Sequence, residues 1–524
     1  MTEPGVPDPT APVPPAGSPS PSSAPPAGPK FSLRGMLGDS GALMIASIAA
    51  VVAGLIRTKV AAVQFGPDVV AILAQLTQLY VLVLTISVIG LGTGIRVVLA
   101  KVQDGEQAAG LGKLLVGAAT LVSLVFVAVA VVFAESIARE LLGSPEDANH
   151  VRVALLAVPF AVALQTGSAV VQARGEFRAL ASASIVGGFL AAIVTVLLML
   201  TGHVDLAVAS LPAGGAAQLL PLFLITPTGR RLVRARWFAT RPQLRELVTI
   251  GGITFGLTIA SSFADTAIRA RFVDVGGLDL VARLQPAMVF STQGFGLVLG
   301  AISATVLVRV TEQLAAHPDA DVTAAFNSVG RRLLVIVGVV AFAAQAFSGL
   351  AVVILFSDEF LSSTALIAGM ACGDLLRAFG WIFGAALLPQ ALRLRWAMVG
   401  LSVTVLQFTL GWFLLDQLGA SGYVIAYITA WGIGAVLVVL TAGRRARVEV
   451  SSSLLGILLT ALLAGGALLV TADTGRLVYL APLAGAVALL VVGLKLNSRG
   501  GGTAPAAVSG DASDGGRGDV RDDA

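Results

Sequence analysis

From residue 39 to residue 496 the chain is a succession of apolar runs broken by short polar connections. A run of roughly 20 apolar residues spans a hydrocarbon core of about 30 Å as a helix. About fourteen runs qualify: 39–65, 69–99, 111–134, 150–172, 178–201, 204–226, 245–274, 280–309, 328–356, 360–388, 396–416, 420–442, 452–471 and 477–496. The pattern therefore predicts an all-α, polytopic membrane protein.

The polar connections orient these runs, because short cytoplasmic loops collect Lys and Arg. Alternate connections hold Lys101 and Lys113, then Arg174 and Arg178, then Arg230, Arg231, Arg234, Arg236, Arg241 and Arg245. Further along they hold Arg309, Arg331 and Arg332, then Arg393 and Arg395, then Arg444, Arg445 and Arg447, and finally Lys495 and Arg499. The intervening connections read Gly66-Pro67-Asp68, Thr201-Gly202-His203, Ser357-Asp358-Glu359 and Leu415-Asp416-Gln417. Both termini are thus expected on the cytoplasmic side of a plasma or inner membrane. The longest outer connection, around Glu135 to His150, predicts a short amphipathic surface helix.

An internal repeat organises the runs. Ile56-Arg57-Thr58-Lys59, late in the first, returns as Ile268-Arg269-Ala270-Arg271, late in the seventh. Beyond the basic pairs, Gly66, Asp68, Val70, Ala71 and Leu73 match Gly277, Asp279, Val281, Ala282 and Leu284. The offset is 212 at the cations and 211 afterwards, so one gap aligns the segments. Both copies start inside, which predicts a parallel repeat about an axis along the membrane normal. The expected organisation is a Pro-rich tail over 1–37, a six-helix lobe over 38–226, a basic linker over 227–244 and a second lobe over 245–442. Two further helices over 443–497 and a tail over 498–524 complete it.

Composition agrees with the pattern. Hydrophobic residues form 56% of the 524 and charged residues 12%, against about a quarter charged in soluble domains. The net charge of +4 resides in short loops, so no nucleic-acid partner is expected. Cys372 is the only cysteine, which excludes internal disulfides and cysteine-rich metal sites. His150, His203 and His317 form no cluster in the sequence, no phosphate-binding P-loop is found, and neither a cofactor nor a catalytic role is expected.

Charged groups within the apolar runs carry the candidate chemistry. A charge at a helix centre costs about 2.5–3.5 kcal/mol on insertion scales, so such residues mark function or a paired structural role. Arg57, Lys59, Arg269 and Arg271 either snorkel or pair with Asp68, Asp274 or Asp279, or else turn inward to hold an anion such as phosphate. Arg283 and Arg96 lie nearer helix ends and join the same cavity or the interface. Asp265 precedes Arg269 by four residues and Asp374 precedes Arg377 by three, which puts each carboxylate on the face of its cation. Each is either neutralised there or available to load a proton or Na⁺. Gln75, Gln78, Gln165, Gln285, Gln293 and Gln345 either bond sugar hydroxyls or link helices. Gly90, Gly92, Gly94, Pro159, Pro212, Pro221 and Pro286 permit bending within the runs.

Phe65-Gly66-Pro67-Asp68, Gln172-Ala173-Arg174-Gly175-Glu176-Phe177-Arg178 and the two-lobe topology resemble the polysaccharide, or O-antigen type, flippases. Those belong to the multidrug/oligosaccharidyl-lipid/polysaccharide exporter (MOP) superfamily, and the resemblance covers about residues 38–442. It implies a MOP-like fold and movement of a polyprenyl-diphosphate-linked oligosaccharide from the inner to the outer leaflet. The family's cationic cavity would map onto Arg57, Lys59, Arg269 and Arg271, with Arg283 beside them. Expected partners are that lipid-linked oligosaccharide, membrane lipids and polymerase or glycosyltransferase machinery, the chain acting as a monomer. A drug exporter of the same superfamily and the lipid II flippase share the topology. A membrane polymerase or ligase is disfavoured by the short outer loops.

Overall fold

A computed structural model describes residues 33–88, 95–96, 98–99, 102, 104–238, 241–296, 323–384 and 393–441. Residues 33–37 of the N-terminal tail open the first helix, whereas residues 1–32, the last two apolar runs and the C-terminal tail lie outside the described residues. So do Gly90, Gly92, Gly94, Lys101, Arg309, His317, Arg444, Arg445, Arg447, Lys495 and Arg499.

The described parts of every other apolar run are almost wholly helical, and the described residues contain no strand. The elements are α1 (Leu33–Val88), α2 (Gly105–Val132), α3 (Ala134–Leu142), α4 (Ala148–Leu155), α5 (Ala157–Ala173), α6 (Phe177–Met199) and α7 (Val204–Ile225). A short helix α8 (Pro227–Arg234) leads to α9 (Arg241–Val289), α10 (Thr323–Ala346), α11 (Ser348–Leu355), α12 (Thr364–Gly384), α13 (Arg393–Leu418) and α14 (Ala420–Thr441). Among the described residues eight helices are long and apolar enough to cross a membrane, or nine when α10 and α11, bent by 72°, are taken as one span.

Two of the predicted connections are tight breaks at a single non-helical glycine between successive helical segments. α1 joins the first two runs through Gly66 and α9 joins the seventh and eighth through Gly277. Gly66 has φ 76° and ψ −170°, and Gly277 has φ 64° and ψ −167°. That backbone region is open essentially to glycine alone, because a Cβ would clash with the chain. The repeat seen in sequence is therefore a repeat in backbone conformation.

The surface helix expected near Glu135 is α3, which buries Ala134, Ala138, Leu141 and Leu142 and packs against both α4 and α9. The basic connection after α7 folds as α8. Pro227 opens it, Thr226 accepts a hydrogen bond from the Gly229 amide at 2.9 Å, and the Glu176 carboxylate accepts from the Thr228 amide and hydroxyl at 3.0 and 2.7 Å. Lys113 Nζ then donates to the carbonyls of Val233 and Ala235 at 2.8 and 2.9 Å. These bonds fasten α8 to the N-terminal helices and leave Arg230, Arg231 and Arg234 exposed.

Within the N-terminal half α6 packs on α7 and α1, and α2 on α5; in the C-terminal half α14 packs on α12 and α13. The halves meet mainly where α1 crosses α9. There Ala61, Ala62, Val70 and Ala71 share one apolar cluster with Ile268, Phe272, Val281 and Leu284. Gln75 Nε2, wholly buried, donates to the Arg269 carbonyl across this seam at 3.0 Å. Small residues near the kinks let the two backbones approach, which is how helices associate where lipid removes the hydrophobic drive.

Candidate functional site

The four cations of the repeat divide into two kinds. Positions two apart on a helix face opposite sides, so Arg57 and Lys59 cannot serve one cavity, nor can Arg269 and Arg271. Arg57 and Arg269 turn to the seam between the halves and line one cavity of 240 Å³ with Thr58, Gln78, Gln285, Thr292 and Gln293. Arg57 makes no ion pair or hydrogen bond among the described residues. Arg269 is 8% exposed, and its Nε and Nη1 have no partner.

Lys59 and Arg271 lie outside this cavity and are held by protein, so of the two readings open for the four cations these two take the paired one. Lys59 Nζ reaches from α1 to the C-terminal half and donates to the carbonyls of Val353 and Phe356 at 2.8 and 2.7 Å. Those are end-of-helix carbonyls of α11, which lack intrahelical donors and favour a cation. Arg271 Nη2 donates to both oxygens of Asp416 at 2.8 Å, Nη1 pairs with Asp274, and the guanidinium stands 4.9 Å from the Trp412 ring centre. Arg283 is likewise satisfied, by Asp279 at 3.0 Å, and is 55% exposed. Arg96 donates to Gln172 Oε1 at 3.3 Å on the exposed surface.

Two larger cavities adjoin the seam. One, of 500 Å³, lies mainly in the N-terminal half and shares Arg57 and Gln293 with the seam cavity; Tyr80, Gln165 and Gln218 line it. The other, of 370 Å³, lies in the C-terminal half and shares Arg269, Gln78 and Thr292 with the seam cavity. Of the predicted glutamines, Gln78, Gln165, Gln285 and Gln293 thus face cavities, whereas Gln75 bonds backbone and Gln345 contacts Cys372 Sγ at 3.7 Å.

The two carboxylates also differ. Asp265 stands on the wall of the C-terminal cavity and, among the described residues, forms no ion pair with Arg269. Asp374 is fully buried behind that wall. Its Oδ1 accepts from Ser291 Oγ at 2.9 Å and Tyr427 OH at 2.7 Å, with Arg377 Nη1 at 3.7 Å, while its Oδ2 has no partner. Arg377 lines the cavity itself, a third cation that sequence reading took only as a partner for Asp374. The signal was present, since Arg377 is the one cation in the apolar helix α12. No group of side chains suited to a metal ion occurs among the described residues.

The chain matches the profile of a family described as polysaccharide biosynthesis protein over residues 76–365, just over half its length. It belongs to that family. Its fold is that of the MOP transporters. A structure of the lipid II flippase MurJ in an inward closed conformation superposes with a TM-score of 0.69 at 13% identity, covering 88% of this chain and 99% of that one. An inward-facing multidrug resistance MATE family transporter of the MOP superfamily gives 0.63 at 16% identity, covering 79% and 99%. A MOP superfamily transporter from Pyrococcus furiosus Vc1, described as having a binding pocket of reverse polarity, gives 0.52 at 14% identity, covering 79% and 98%. A comparison with curated proteins finds no match.

Proposed function

We infer that the chain is a flippase that moves a polyprenyl-diphosphate-linked oligosaccharide from the inner to the outer leaflet by alternating access, for surface polysaccharide export. One observation carries this reading: Arg57 and Arg269, equivalent in the repeat and contributed by opposite halves, line one cavity, and neither forms an ion pair at bonding distance among the described residues. A buried guanidinium left unpaired costs several kcal/mol, so this pair is built for an anion brought by the substrate. A diphosphate offers acceptors for two such forks at once.

The chemistry of the cargo fits the rest. Sugars need polar cavities beside the diphosphate, and the 500 and 370 Å³ spaces adjoin it on either side. The polyprenyl chain can stay in lipid, outside the protein. A cationic drug would meet Arg57, Arg269 and Arg377, which disfavours the drug-exporter reading. Asp265, open to the cavity and without a counterion at bonding distance, is the better placed of the two carboxylates to couple an ion to the movement.

The test is mass spectrometry of polyprenyl-linked lipids from cells with and without the protein, combined with labelling of the leaflet that holds them. Accumulation of a diphosphate-linked oligosaccharide on the cytoplasmic face supports the flippase and names its glycan. If lipid II alone accumulates, the cargo is the peptidoglycan precursor. Unchanged lipid-linked glycans refute the reading.

A further inference from the structure

The seam cavity accounts for the diphosphate but not for an unusual wall beside it. The chain has five tryptophans and four tyrosines, and Trp381, Trp396, Trp431, Tyr423 and Tyr427 all line the C-terminal cavity. Trp381 and Trp396 form an edge-to-face pair with ring centres 5.9 Å apart, and Trp396 packs against Gly384, where a Cβ would lie 2.9 Å from its Nε1. Trp431 is clamped by Tyr427 at 6.4 Å and by the Arg377 guanidinium at 5.4 Å from its ring centre. The rings are thus held by neighbours of their own, and polar atoms stay unsatisfied among them. Trp431 Nε1, Arg377 Nε and two nitrogens of Arg269 are buried without partners, and Asp265 opens on the same space. Lipid-facing aromatics would carry no such orphaned donors, because a buried N–H without an acceptor costs free energy.

A cavity of rigid aromatic faces with a few convergent polar groups suits a ligand that is apolar on its ring faces and polar around its rim. A pyranose has that form: its C–H faces, slightly positive, meet the negative faces of the rings, and its hydroxyls both donate and accept. We propose that this cavity is a sugar subsite that holds the pyranose adjoining the diphosphate. The Trp431 indole donates to a hydroxyl, Asp265 accepts from another, and Trp396 supplies a stacking face. Arg269, which lines both cavities, lies between the phosphate and the sugar. This inference rests on the flippase reading and adds to it where the first sugar is read.

Binding to the full-length chain in nanodiscs decides it, with two probes: undecaprenyl diphosphate, and the same lipid bearing one N-acetylglucosamine. The wild type should bind the sugar-bearing lipid about tenfold more tightly, the size of one stacking contact with its hydrogen bonds. Trp396→Ala should remove that advantage, and Trp431→Phe, which keeps a ring but not the N–H, should reduce it by about threefold. Affinity for undecaprenyl diphosphate should stay within about twofold in both variants, which also shows that they fold. Equal affinity of the wild type for the two lipids, or equal losses for both in the variants, overturns the sugar subsite and leaves the flippase standing. Binding of neither lipid overturns both readings. Tight binding of tetraphenylphosphonium that Trp396→Ala abolishes overturns the subsite in favour of a cation pocket.

Discussion

A single arginine in a membrane helix is informative only together with what neutralises it. Arg271 and Arg57 look alike in sequence, yet Arg271 has two carboxylates and an indole, and Arg57 has no ion pair or hydrogen bond among the described residues. Arg57→Ala and Arg269→Ala should each weaken binding of undecaprenyl diphosphate by about ten- to a hundredfold, the worth of a charge-assisted hydrogen bond. Arg271→Ala should leave that affinity unchanged and lower the melting temperature only slightly, since its partner Asp416 is 45% exposed and solvent weakens the pair. Thermal melting of the purified variants beside lipid binding separates the two outcomes. Asp265→Asn should slow transport while leaving the amount of protein inserted in the membrane unchanged; loss of inserted protein would instead mark Asp265 as a structural group. At this scale the sequence singled out cations paired within apolar helices but could not say which member of each pair is tied to protein, because a partner such as Asp416 is 145 residues away.

The elements carry the repeat in their kinks. Gly66 and Gly277 adopt the same backbone conformation, and a Cβ at Gly277 would meet nothing within 4 Å, so any penalty there is backbone strain alone. Gly277→Ala should cost about 1–3 kcal/mol in a melting experiment without altering diphosphate affinity. The matching glycines were legible in the sequence because glycine there has a backbone cause. The role of Lys59 was not, since the carbonyls it caps belong to the end of α11, almost three hundred residues on. Its bonds tie α1 to α11 at the kinked end, so Lys59→Ala should loosen that closure. A cysteine placed at Ser357, beside Lys59 in the same small pocket, should then react faster with a membrane-impermeant maleimide. Cys372, the only native cysteine, is replaced first.

For the whole molecule, transport by two halves requires that one cargo hold them both. Arg57 and Arg269 should therefore fail to act independently, and the loss in binding for the double Ala variant should differ from the product of the single losses. Independent losses would place the two cations on separate groups. Taken alone, the sequence determined the apolar runs, their membrane-crossing length, the repeat and the presence of unusual buried charge, because each follows from chain-local physics: the cost of charge and free backbone in lipid, and the steric freedom of glycine. Only the tertiary structure decided which cation of each pair meets the cavity, that Asp265 is open while Asp374 is tied down, and that Trp381, Trp396 and Trp431 come together. The reason is the solvent. In water a helix advertises its inner face by burying its apolar side, but in a bilayer the outer face is apolar too, so the sequence pattern gives no inward direction and packing between distant helices has to supply it.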